Sequence, residues 1–310
     1  MVKLILDTDM LTDCDDAAAI GILHKLADDR EVEILATMVS SSYPMSGAVV
    51  DVINTYYGRP HMPIGTPKNG SGVFRDDSCF LDKLAAEFPH QLESNDSAPD
   101  AVDLYRKILT VQEDDSVIIL TIGYMSNLAN LLKSISDNIS TLNGIDLVKR
   151  KVRKWVCMGG NFPIDSGKDN VNFYRDAEAA LYAIRNWPGE IMFVGREIGH
   201  KIFIGDALKN TPITNPVRRS YELHRERYNL GHWNHHTADP CSVLYAVRGP
   251  HNYWEEITGG YIDIQDDCSF EWKLDPRKKM GYLIQKMDKL QLSAIMEEIL
   301  VQYPQAECKP

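Results

Sequence analysis

Short apolar runs alternate with helix-like stretches along most of the 310 residues, and that alternation constrains the fold more than any other feature. The run at 2–6 precedes a helical pattern at 16–27, with Ile20, Leu23 and Ala27 on one face. "VEILATMV" (32–39) precedes "SGAVVDVINTYYG" (46–58), which Gly58 closes. "SVIILTIG" (116–123) precedes "SNLANLLKSI" (126–135); "KWVCMGG" (154–160) precedes an alanine-rich helix at 176–185, and "EIMFVG" (190–195) is a further strand. Strands separated by helices pair in parallel through right-handed crossovers. The expected fold class is α/β, an open, mostly parallel, doubly wound sheet flanked by helices. No linker or repeat divides the chain, so one domain over 1–310 is expected. Residues 62–66 read as a short strand, 99–110 and 240–247 as helices, and 259–275 as a hairpin. The polar stretches 66–98 and 205–238 read as loops over the sheet, and 280–303 as one long C-terminal helix or a pair.

A net charge of −11 argues against a polyanionic partner, because nucleic-acid binding rests on basic surface. Six scattered cysteines without a CxxC pair read as reduced thiols. No signal-peptide pattern opens the chain, and no apolar run approaches the ~18 residues of a membrane span. A cytoplasmic protein with a small-molecule ligand, and neither a membrane nor a nucleic-acid partner, is expected.

In such sheets ligands bind beyond the carboxyl ends of the strands. Four predicted strand ends carry polar residues: "DTD", "GYMSN", "GGNFPID" and "GREIG". The first is the most distinctive. "LILDTDMLTDCDDA" (4–17) places Asp7, Asp9, Asp13, Asp15 and Asp16 within ten positions. Like charges so close need protons, water or a counter-ion. Several carboxylates converging on one pocket suit a hard cation, Ca²⁺ or Mg²⁺, rather than zinc. The plainer alternative is a solvated loop in which Asp13, Asp15 and Asp16 cap the next helix.

This opening resembles the nucleoside hydrolases, the inosine–uridine-preferring group and its relatives. "TIGYMSNLA" (121–129), "CMGGN" (157–161), "NVNFYRDAEAA" (170–180) and "ADPCSVLYAV" (238–247) are similar to later segments of that family, in the same order. The resemblance covers about residues 1–250 and implies a calcium-dependent N-ribohydrolase, active as a homodimer or homotetramer. By that resemblance Asp9, Asp16, the carbonyl of Ile122 and Asp239 would bind Ca²⁺. Asp9 would also act as general base, Asp15 and Asn172 would bind ribose hydroxyls, and Met158 would line the sugar pocket.

Departures from the family pattern leave several roles open. The opening is longer than usual, so Asp13 has no settled place and could take the role given to Asp15. "SSSYP" (40–44) stands where the family often has an asparagine, and Asn170 where it often has a glutamate contacting the 5′-hydroxyl. Ala238 precedes Asp239 where several members carry a histidine that protonates the leaving base. His235 or His236 could replace it, with Tyr228 and Trp233 stacking on the base; the tract "HWNHH" (232–236) could equally hold zinc or form a polar loop. Glu197 is either a pocket residue or a surface partner of Arg196. Two other functions compete: a haloacid-dehalogenase-like phosphatase with Asp7 as nucleophile, and a non-catalytic, calcium-dependent nucleoside or ribose binder.

Overall fold

The computed structural model describes residues 1–78, 80–167 and 170–304; Cys79 and Cys308 lie outside them. Twelve strands are described: β1 (Val2–Thr8), β2 (Val32–Val39), β3 (Ile64–Gly65), β4 (Val117–Thr121), β5 (Val152–Met158), β6 (Ile164–Asp165), β7 (Glu190–Val194), β8 (Phe203–Ile204), β9 (His235–His236), β10 (Trp254–Ile264), β11 (Phe270–Leu274) and β12 (Met280–Gln285). Ten of them form one sheet in the order β3-β2-β1-β4-β5-β7-β12-β10-β11-β6. The seven strands from β3 to β12 run parallel, and the last three joins are antiparallel. The sheet is thus mixed and mostly parallel, with helices on both faces. Along β1, Leu4 and Leu6 enter one core layer and Ile5 the other; Ile118 and Leu120 against Val117 and Ile119 repeat the division along β4. Burial on both faces is why these strands read as unbroken apolar runs.

From β1 the chain winds outward through β2 and β3, then returns to place β4 on the other side. That reversal opens a crevice beyond the carboxyl ends of β1 and β4, where ligands bind in doubly wound sheets. The helix Asp15–Asp28 leaves this crevice, and the helix Ala238–Arg248 packs against it. Residues more than 200 positions apart therefore share one end of the sheet.

Three expectations need correction. Residues 66–98 hold the helix Leu81–Glu87 and a 3₁₀ turn at Asn95–Ser97. Residues 205–238 hold the helix Pro216–Arg227, capped by Asn215, whose side chain accepts from the Val217 and Arg218 amides. Its charged residues mask an inner face of Val217, Tyr221, Leu223 and His224. The C-terminal stretch begins with β12, inserted between β7 and β10, and only Lys289–Leu300 is helical there. Gly281 and Leu283 alternate inward along β12, a pattern too short to outweigh the helix signal that follows. Among the described residues no helix is long and apolar enough to cross a membrane.

His24 gives the fold a measurable pH dependence. It is buried in the helix Asp15–Asp28, with Nε2 2.8 Å from Asn54 Oδ1 and Nδ1 3.3 Å from Arg59 Nη1, and it stacks on Tyr57. With Arg59 donating to Nδ1, the neutral ring uses both nitrogens. Burial and the Arg59 charge lower its pKa from 6.5 to about 3. The unfolded chain therefore takes up this proton first as pH falls. The contribution to stability is complete above pH 6.5 and is lost progressively between 6.5 and 3, on the order of 5 kcal/mol in all. Urea midpoints measured across that window should fall steeply for the native chain and less steeply for His24→Gln; equal slopes would refute the assignment.

Candidate active site

A pocket of about 340 Å³ fills the crevice. Its floor is built by the turn after β1. Thr8 ends the strand and donates its hydroxyl to Asp16 Oδ1, while the Met10 amide donates to Thr8 Oγ1 (3.0 Å) and to Asp16 Oδ1 (3.3 Å). Met10 sits at φ +33°, a left-handed conformation that few non-glycine residues adopt, and reverses the chain so that Asp9 and Asp16 both face the pocket. Ile122 follows β4, its amide donating to the Asp7 carbonyl at 2.8 Å. At Gly123 a Cβ would lie 2.3 Å from the Asp9 amide nitrogen, so only glycine lets the ends of β1 and β4 approach this closely. At Gly199 a Cβ would lie 2.3 Å from Ala238 Cα, and that contact seats the start of the helix that carries Asp239.

Asp15, Asp16 and Asp239 are buried, and each offers a carboxylate oxygen within 4.8 Å of the others. The Asp239 amide donates to Asp15 Oδ2 at 3.4 Å. Asp9 lines the same pocket. Burial, and then the neighbouring carboxylates, raise Asp9 to about 7 and push Asp16 and Asp239 well above the ordinary range. This cluster of hard oxygen donors could bind a metal ion, since a divalent cation would remove the repulsion that otherwise favours protonation.

Imidazoles flank the acids. His236 Nδ1 lies 3.3 Å from Asp15 Oδ2, and its ring stacks on His200 at 4.2 Å. Burial opposes charge on His236, but Asp15 and Asp13 outweigh it and raise the ring to about 10. Burial, His236 and Arg196 instead lower His200 to about 4. For Asp13, burial opposes ionisation, yet contacts with His224, His235 and His236 hold its carboxyl well below the usual range.

Asp9, Asp13, Asp15, Asp16, Ile122, Met158, Asn170, Asn172, His236 and Asp239, all singled out from sequence, line this pocket. Asn172 Nδ2 donates to the carbonyls of Ile122 and Met158, each at 3.3 Å. Asn170 Nδ2 is buried and has no hydrogen-bond partner among the described residues. Four expected residues do not line the pocket. His235 faces Asp13 at 2.8 Å, Tyr228 is half exposed against His224, and the Trp233 ring meets the guanidinium groups of Arg218 and Arg225 at 5.9 and 5.7 Å. Glu197 folds back over Gly195, where burial raises it to about 7, and Arg196 bonds to His200 rather than to Glu197. Ser40 bonds to the Thr8 carbonyl and the Tyr124 amide beneath the site. Asp7 is fully buried and accepts from Tyr105 (3.0 Å) and Asn127 (3.1 and 3.2 Å), so it is a strut between elements and no exposed nucleophile. Sequence reasoning missed Arg75, Arg175, Arg196 and His200, which line the pocket as well. "GREIGH" held a signal for the last two; Arg75 lies in a stretch without pattern.

Compared with curated protein sequences, the chain has no match. Solved structures share its fold. A purine-preferring ribonucleoside hydrolase from Gardnerella vaginalis superposes with a TM-score of 0.75 at 19% identity, covering 98% of this chain and 100% of that one. A plant nucleoside hydrolase gives 0.68 at 20%, covering 97% and 99%. An inosine-uridine preferring nucleoside hydrolase from Bacillus anthracis gives 0.65 at 12%, covering 97% and 99%. The family model for the inosine-uridine preferring nucleoside hydrolases matches residues 4–294, so it spans every element that builds the pocket. The chain belongs to the inosine-uridine preferring nucleoside hydrolase family and is an N-ribohydrolase.

Proposed function

We propose that the protein hydrolyses the N-glycosidic bond of a ribonucleoside in a Ca²⁺-dependent reaction, with ribose and the free base as products. The convergence of Asp15 and Asp16 with the distant Asp239 on one family-typical pocket carries this reading. The donor set is all oxygen and buried, which fits calcium better than a softer ion. Asp9, Asp16, the Ile122 carbonyl and Asp239 would hold the ion. Bound there, it would acidify a water and gather ribose hydroxyls.

The remaining steps belong to the side chains. Asp9 accepts a proton from the attacking water as oxygen bonds to C1′. Asp15 and Asn172 hold ribose hydroxyls and fix C1′ beside that water. Asn170, whose amide N–H has no partner among the described residues, donates to a further hydroxyl. The carboxylates stabilise positive charge on the sugar as the C1′–N bond breaks and its electron pair leaves with the base. Ala238 supplies no proton to that base. His236 lines the same pocket, and we assign it as the donor to the departing nitrogen.

Three outcomes are expected. Asp9→Asn, with calcium saturating, should lower kcat for ribose release about 10²–10⁴-fold with the fold intact by circular dichroism. Chelation should abolish release in the native chain, and added calcium should restore it. Calcium-dependent nucleoside binding without any ribose release would replace this reading with that of a binding protein. His236→Gln should slow natural nucleosides about 10²–10⁴-fold yet spare p-nitrophenyl riboside, whose leaving group needs no proton. Equal losses on both substrates would remove His236 from the role.

A further inference from the structure

The glycosidase reading gives no role to Asp13 and Cys14 of the long opening, or to His235 of the histidine tract. They meet in space. Cys14 precedes the helix Asp15–Asp28, His224 lies on the helix Pro216–Arg227, and His235 lies on β9. One donor atom from each falls within 4.8 Å of the other two. Asp13 Oδ1 stands 2.8 Å from His235 Nε2 and 3.4 Å from His224 Nε2. Cys14 and His224 are buried, and Cys14 is in no disulfide. His235 Nε2 is also buried, and among the described residues it has no hydrogen bond, despite the nearby carboxylate.

We propose that Cys14, His224, His235 and Asp13 form a second metal site, for a tetrahedral transition ion of the zinc class, beside the oxygen-lined pocket. One thiolate, two imidazoles and one carboxylate suit such an ion and discriminate against calcium, which takes oxygen alone. A zinc-like ion bound at about 2.0–2.3 Å sets neighbouring donors ~3.3–3.8 Å apart, so side-chain rotation must bring Asp13, which contacts both imidazoles but stands outside the Cys14–His224–His235 group, towards the thiol. The site ties together the turn that leads into Asp15 and Asp16 and the strand that leads into Asp239. It is a clamp on both arms of the acidic cluster and takes no part in the proposed cleavage.

Cobalt(II) is the probe, added to the reduced full-length protein with calcium saturating. The native chain should bind about one equivalent, with a thiolate-to-cobalt charge-transfer band and visible bands of tetrahedral intensity. Cys14→Ser should abolish the charge-transfer band while its circular dichroism stays native. His224→Gln, a second variant that leaves the thiol in place, should weaken cobalt binding at least 10-fold. Zinc should raise the melting temperature of the native chain and of neither variant. Absence of the charge-transfer band in folded native protein, its persistence in Cys14→Ser, or complete displacement of cobalt by calcium would overturn the proposal. Ribose release is measured separately, so failure of this site leaves the hydrolase reading standing.

Discussion

Carboxylates buried beside one another repel, and the rest of this structure makes that arrangement possible. Asp9, Asp15, Asp16 and Asp239 gather at the end of a sheet whose interior strands are apolar on both faces. Left without a counter-ion, burial drives three of them towards the protonated form. The cost is carried by the two core layers, which hold the strand ends whether or not the acids are comfortable. A site organised in this way needs little rearrangement to accept a cation, because donors already converge.

Two close backbone approaches set the geometry. Gly123 lets the chain after β4 press against Asp9, and Gly199 lets the helix start at Ala238 press against the strand end after β7. Neither contact tolerates a Cβ, so the carbonyl of Ile122 and the carboxylate of Asp239 are located by backbone packing rather than by flexible side chains. Thr8 and the Met10 amide act in the same sense on Asp16. The left-handed Met10 is the one strained element at the floor, and it lies where the chain must turn sharply between two acids.

The interior strands and the pocket floor were legible because their signal is local. A continuous apolar run followed by acids says both "buried parallel strand" and "site at its end". Asp239 was legible only through family resemblance, since nothing within 238–247 marks an aspartate destined for residues 15 and 16. The helix Pro216–Arg227 escaped notice because six arginines and glutamates dominate the pattern around its Val217–Tyr221 face. Glu197 was left open between pocket and surface: it follows a strand as expected, but its side chain turns back over Gly195. Arg75 and Arg175 reach the pocket from separate segments, and no spacing could announce that.

Asp7 and Asp9 show how far a motif underdetermines chemistry. They are two residues apart on one strand end, and burial raises both to about 7. On an extended strand alternate residues share a face, yet Asp7 is locked beneath the floor by Tyr105 and Asn127 while Asp9 meets the pocket. The difference arises where β1 ends: past Thr8 the chain leaves the extended path, so the period of two no longer holds. A D-x-D sequence thus yields one strut and one candidate base because the strand stops between them. The same reasoning separates Asp13 from Asp15: both belong to the turn, but Asp15 begins a helix that points it at Asp239, whereas Asp13 stays outside the helix and falls among three imidazoles.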